Sequence, residues 1–226
     1  FKFTNGYEEI KTLKLKTSFR RSDALDCFRI AVSRRATSSI RVDEGLLLRP
    51  ASLDYSSELL EAFEETWPEV SRAMPWINPD ISFLEQIESF LQETEKMGRS
   101  GLMHHWVMIR PWDNALLGLI GFDHVTRTIQ AEWNLGYWVR SSAQQHGLAR
   151  KSINATLEWL GAISEVTVEL KVDPLNAAGV KTVLQTVSNW NGERSISGDS
   201  AVTVAGIRTL HHCHLIKTGP KTSQIK

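Results

Sequence analysis

From Glu44 to Ile216 the chain switches repeatedly between two hydrophobic periods, one near 3.6 residues and one of two residues. Leu46-Leu47-Leu48 is a short apolar run stopped by Pro50, as a first strand would be. Ser52 or Asp54 can cap a helix carrying Leu59, Leu60, Phe63 and Trp67, which Pro68 ends. Pro75, Asn78 and Pro79 mark a loop, and Asp80 or Ser82 opens a second helix with Phe83, Ile87, Phe90 and Leu91 on one face. That helix closes at Gly98–Gly101. His105–Ile109 and Leu116–Asp123 read as strands joined by a turn at Arg110–Asn114, and Ala131–Arg140, rich in aromatic and β-branched residues, as the next. Gly147 begins a return to helical spacing, with Ile153, Leu157 and Leu160 on one side up to Gly161. Val166–Val172 alternates apolar and charged residues, Asp173-Pro174 ends it, and Asn176–Val187 reads as a helix. Ala201–Ala205 and Thr209–Ile216 read as a closing hairpin. The order is strand, two helices, three antiparallel strands, helix, strand, helix, hairpin, which places the chain in the α+β class.

The first 45 residues follow neither period for long. They carry Lys11, Lys14, Lys16, Arg20, Arg21, Arg34, Arg35 and Arg41, with a short amphipathic stretch at Asp23–Val32 after Ser22. A basic arm that meets RNA or a partner is one reading; a solvated, partly ordered extension is the other. Over the whole chain 26 acids balance 26 bases, so no global field favours nucleic acid or an anionic membrane. No apolar run approaches the roughly 20 residues a spanning helix needs, and the first residues lack the apolar core of a secretory signal, so a cytoplasmic protein is expected. Cys27 and Cys213 match neither a disulfide framework nor a zinc spacing. In a strand, His211-His212-Cys213-His214 would offer only two ligands per face, and no metal site is expected there.

The most informative segment joins Asn134-Leu-Gly-Tyr-Trp-Val-Arg140 to Ser-Ser-Ala-Gln-Gln-His-Gly-Leu-Ala149. A strand feeds a polar turn, a glycine ends the turn, and a helix starts at once. A helix N-terminus carries unpaired N–H groups and about half a positive charge, and Gly147 leaves room for an anion to approach the backbone. The same residues also suit a tight turn with no ligand.

Gln144-Gln145-His146-Gly147-Leu148-Ala149 resembles the Gln/Arg-x-x-Gly-x-Gly/Ala loop of the GNAT acetyltransferases, and Asn134–Arg140 resembles the strand before it. Leu47-Leu48-Arg49-Pro50-Ala51, Leu117-Gly118-Leu119-Ile120-Gly121 and Asp173-Pro174-Leu175-Asn176-Ala177-Ala178 resemble three further pieces in order, in the branch that acetylates ribosomal-protein N-termini, the Rim-type enzymes. The likeness spans residues 46–217, leaving 1–45 as an extension and 218–226 as a tail. It implies a GNAT fold and direct acetyl transfer from acetyl-CoA to an amine. The acceptor would be a protein N-terminal α-amine or a small molecule. On the same resemblance Gln144, Gln145, His146, Gly147, Leu148, Ala149 and Arg150 would cradle the pyrophosphate. Leu135 and Gly136 would bond the pantetheine and polarise the thioester, Asn176 would contact the cofactor's arm, and Trp76 would wall the acceptor site. Oligomeric state is open, a homodimer included.

The chain departs from this pattern at its acid–base residues. Asn134 stands where many Rim-type enzymes carry Glu, and an amide is no base. Glu132, two residues earlier and on the same strand face, is the candidate to deprotonate the amine. Gly179 stands in place of the serine after Asn-x-Ala, which leaves Tyr137 as the nearest phenol to protonate the leaving thiolate. These departures keep open a domain that binds acetyl-CoA and transfers poorly.

Overall fold

The computed structural model describes residues 35–67, 80–125, 130–204 and 207–220. The expected N-terminal helix, Cys27, Trp76 and the turn at Thr126–Thr128 lie outside them. Nine strands are described: β1 (Ile40–Arg41), β2 (Leu47–Pro50), β3 (Met103–Ile109), β4 (Leu116–His124), β5 (Trp133–Val139), β6 (Val166–Val172), β7 (Glu193–Arg194), β8 (Ser200–Val204) and β9 (Ile207–Thr218). Four helices accompany them: α1 (Ser56–Glu65), α2 (Phe83–Ser100), α3 (Leu148–Gly161) and α4 (Ala177–Asn189). The sheet runs β1-β2-β3-β4-β5-β6-β9-β7, with β8 paired to the first half of β9. Only β5 and β6 are parallel among these pairs. Their connection is α3, as a parallel crossover requires.

Strand alternation sorts the core onto two faces. On one, Trp106, Ile120, Phe122, Leu135, Val168, Leu170 and Ile216 meet Ile153 and Leu157 of α3 and Val183 of α4. On the other, Val107, Ile109, Leu119 and Trp138 meet Leu59 and Phe63 of α1 and Ile87 and Leu91 of α2. Each helix buries the stripe that its periodicity marks out. The second face continues onto β6 as Thr167, Glu169 and Lys171, beyond the apolar cluster under α1 and α2.

The structure differs from the sequence expectation in several places. Neither Ser52 nor Asp54 caps α1: a 3-10 turn at Leu53–Tyr55 intervenes, and Ser52 Oγ instead lies 3.4 Å from Asp54 Oδ2. Strands β1 and β7 have two residues each, too few to show a period. Residues 35–39, ahead of β1, also pack against the fold. Arg35 stacks 3.5 Å from the Trp159 ring centroid, Thr37 Oγ1 lies 2.9 Å from His104 Nδ1, and the Trp106 indole donates to the Ser38 carbonyl at 2.8 Å. His104 itself sits among Trp106, Trp133 and Trp159, so these tryptophans pack the interior.

One glycine is fixed by its neighbour. A Cβ on Gly121 of β4 would lie 2.0 Å from the His105 ring on β3. Gly121→Ala should therefore destabilise the fold by about 1–3 kcal/mol through overpacking, read as a lower urea midpoint with an unchanged slope.

Candidate cofactor and acceptor site

Strands β5 and β6 pair at only three positions: Trp133 with Val168, Asn134 with Glu169, and Leu135 with Leu170. Gly136, Tyr137, Trp138 and Val139 keep their β4 partners and have no β6 partner. The sheet thus opens after Leu135, and one edge of β5 is left for another hydrogen-bonding group. Leu135 is buried at the root of the cleft, and Gly136 is the first residue beyond it.

Above the cleft the chain turns through a 3-10 segment, Ser141–Ala143, into α3. Gln145 (φ 65°) and Gly147 (φ 73°) are both left-handed, which lifts the backbone into an arch. A Cβ built on Gly147 would meet nothing within 4 Å. The first helical bond is Lys151 N–H to Gly147 O at 3.1 Å, so Leu148, Ala149 and Arg150 precede the ladder with their amides unengaged by backbone carbonyls. Gln144 Nε2 donates to Val139 O at 3.1 Å, and His146 Nδ1 lies 2.7 Å from Gln144 O, bracing the arch from inside. Open space, free amides and the positive end of a helix dipole together fit a pyrophosphate.

The arch is held from α1, a contact that motif spacing does not reveal. Arg140 Nε donates to Glu65 Oε2 at 2.8 Å, its Nη2 reaches Glu61 Oε1 at 3.0 Å, and Glu65 Oε1 accepts the Ser142 amide at 2.7 Å. The Arg140 bond, helped by Ser142, holds the Glu65 carboxyl at about 2, well below its ordinary 4.5. A charged residue at the end of α1 pattern-matches to a solvated face; only the fold brings it to Arg140.

The acid–base candidates separate. Glu132 is exposed below the closed end of the β5–β6 pair, and its carboxylate accepts the Thr167 amide. Tyr137 points to the α3/α4 face, where burial raises its phenol and Thr182 of α4 is its hydrogen-bond partner. Asn134 points to the opposite face, half-buried between Asp123 and Glu169, its direct register partners on β4 and β6. Asp123 is 3.6 Å from His105 Nε2, and both are buried. Burial and Glu93 push Asp123 up to about 8, and burial with His104 brings His105 down to about 3, so the site holds both groups towards their neutral forms. Asn176 caps α4, accepting the Gly179 amide at 2.9 Å. A Cβ on Gly179 would lie 2.9 Å from that Asn176 side chain and 3.1 Å from Val172 Cγ2, so Asn176 fills the space a serine there would need.

Residues 45–185, more than half the chain, match the acetyltransferase (GNAT) domain model, and the protein belongs to this family. Its chemistry is acetyl transfer from acetyl-CoA. No curated protein matches the chain in sequence. Among solved structures it is similar to the ribosomal-protein-S5-alanine acetyltransferase from Vibrio fischeri, with 16% identity, a TM-score of 0.61, and coverage of 78% of this chain and 94% of that one. RimJ from Mycobacterium smegmatis, in complex with a CoA disulfide, gives 18%, 0.59, 80% and 86%. The microcin C7 self-immunity acetyltransferase MccE, in complex with acetyl-CoA and AMP, gives 17%, 0.62, 81% and 98%. At these identities the likeness is one of fold. No described helix is long and apolar enough to cross a membrane.

Two outcomes test the cradle. Gly147→Trp should weaken acetyl-CoA binding by at least about 100-fold in calorimetry, because the ring occupies the space left for phosphate. Glu65→Gln should flatten the acid side of the stability profile. The Glu65 contribution is present above pH 4.5 and is lost as pH falls towards 2, so the two proteins should differ most above pH 4.5 and converge near pH 2. The half-open setting keeps the difference to about 1 kcal/mol or less.

Proposed function

We propose that the protein acetylates a primary amine, with a protein N-terminal α-amine as its acceptor. The observation that carries this is the place where the sheet opens. The free edge of β5 begins at Gly136, just past the paired Asn134 and Glu169 on the α1/α2 face, so a thioester lying along that edge would meet an acceptor arriving on a face whose polar residues suit an ammonium group. Gln145–Arg150 would hold the pyrophosphate, Leu135 and Gly136 the pantetheine and thioester oxygen, and Asn176 would lie beside the cofactor's arm through the nitrogen its cap leaves over. Acetyl-CoA supplies the activated acyl group; the chain's own part is to bind, orient and move protons. Two of the three structural neighbours named above carry ribosomal-protein or Rim designations, which supports the peptide acceptor.

MccE, which shares the fold to the same degree, favours a second reading, a small-molecule amine. CoA release measured across peptides with varied N-terminal residues and a panel of small primary amines separates the two. The peptide reading expects kcat/KM at least about tenfold higher on the best peptide than on any small amine, a gap of about 1.4 kcal/mol in transition-state binding. The reverse order assigns the small-molecule reading. Acetyl-CoA binding with no turnover on either panel assigns a binding domain.

A further inference from the structure

Acyl transfer to an ammonium requires the loss of two protons, and neither Glu132 nor Asn134 is suited to take the first. Glu132 lies below the closed end of the β5–β6 pair, the whole paired section away from the opening, and Asn134 is an amide. The carboxylate absent at Asn134 is supplied one strand over. Glu169 is the β6 register partner of Asn134, on the same face, and buried. Its carboxylate is held between β6 and β9: Lys171 pairs with Oε1, and Cys213 Sγ, on the β9 partner of Lys171, donates to Oε2 at 4.0 Å. Continuing the parallel register sets Lys171 level with Gly136, so the residue paired to Glu169 stands beside the first unpaired residue of the cleft, two positions along the face that Glu169 shares with Asn134.

We propose that Glu169 is the proton acceptor for the incoming amine, held in place by Lys171. The inference rests on the amine-acetylation reading above. The ammonium gives one proton to the Glu169 carboxylate through a water at the level of Gly136. The nitrogen lone pair then forms the N–C bond to the thioester carbonyl carbon and the C–S bond breaks. The second N–H proton goes to the departing thiolate, giving amide, CoA thiol and protonated Glu169, which returns its proton to solvent. A water is required because the Glu169 side chain is 5% exposed, and one intervening water is within the reach of a general base. The turn after β7 is polar next to Cys213: Ser195 Oγ donates to Gln130 Oε1 at 2.8 Å, Gln130 Nε2 pairs with Ser197, and the Ser195 amide donates to the Cys213 carbonyl at 2.9 Å. The groups facing Glu169 are Lys171 on its own strand, Asn134 on β5 with Asp123 beyond it, Cys213 on β9, and Glu193 and Asp199 from the β7–β8 side. Asp123 is the other carboxyl of the row, and it lies under α2 with Phe90 and Glu93 close to the His105–Asp123 pair. Glu193 is a strand further from Asn134, across Leu215, which leaves Glu169 as the carboxylate directly beside Asn134 outside the cover of α2.

The test compares wild type, Glu169→Gln, Glu169→Asp and Glu132→Gln on peptide N-termini and on small primary amines, with acetyl-CoA affinity measured on each. Glu169→Gln should lower kcat about 100-fold or more, leave the acetyl-CoA Kd within about threefold, and move the acid limb of kcat/KM up to the acceptor's own ionisation near pH 8. Glu169→Asp should keep the wild-type limb at about a tenfold lower rate, and it carries the readout if the Gln variant does not fold. A kcat within about threefold of wild type in the folded Glu169 variants overturns the proposal, as does finding the loss and the limb shift in Glu132→Gln instead. Turnover confined to small amines removes the peptide acceptor and leaves the Glu169 comparison intact. A wild type that turns over neither class overturns both.

Discussion

The structure depends on a set of backbone hydrogen bonds that the sheet does not make. β5 and β6 run side by side for three residues and then part. A sheet strand whose peptide groups lose a partner must find another, and the edge of β5 beyond Leu135 is where a ligand can supply it. Every neighbouring feature serves the opening. The parallel crossover puts the N-terminus of α3 at its mouth, the left-handed residues Gln145 and Gly147 raise the amides above it, and the apolar layers on both faces keep β5 rigid up to the point where it parts.

Rigidity at that point comes from two directions. On the α3/α4 face, Leu135, Val168 and Leu170 are buried in the larger core. On the α1/α2 face, Trp138 packs on Phe63 with ring centroids 4.7 Å apart, and Glu65, at the end of the same helix, holds Arg140 and the Ser142 amide. One helix thus fixes both the last residues of the strand and the first residues of the arch. A single displaced α1 would loosen stacking, ion pair and anion cradle together.

Much of this was legible in the sequence, for physical reasons. Val166–Val172 alternates without interruption, and its strand has those same bounds. Gly147 marks the left-handed residue before α3 because so few side chains tolerate that backbone. The α+β order follows from the sequence of periods, and the family resemblance rests on motifs that lie in short contiguous segments. What escaped depends on register between distant strands. Nothing local in Glu169 separates it from Thr167 or Lys171 on the same strand face; its interest arises only when β5 is laid beside β6 and Asn134 becomes its neighbour. Glu65 and Arg140 are 75 residues apart and meet only in the fold. Strands of two residues, such as β1 and β7, are defined by their partners and carry no pattern of their own.

The bonds from Gln130 to Ser195 and Ser197 join the approach to β5 with the turn after β7. Two connections that would otherwise wander separately are thereby reduced to one degree of freedom. Whatever moves one of them must move the other with it, so a substitution in either is felt in both.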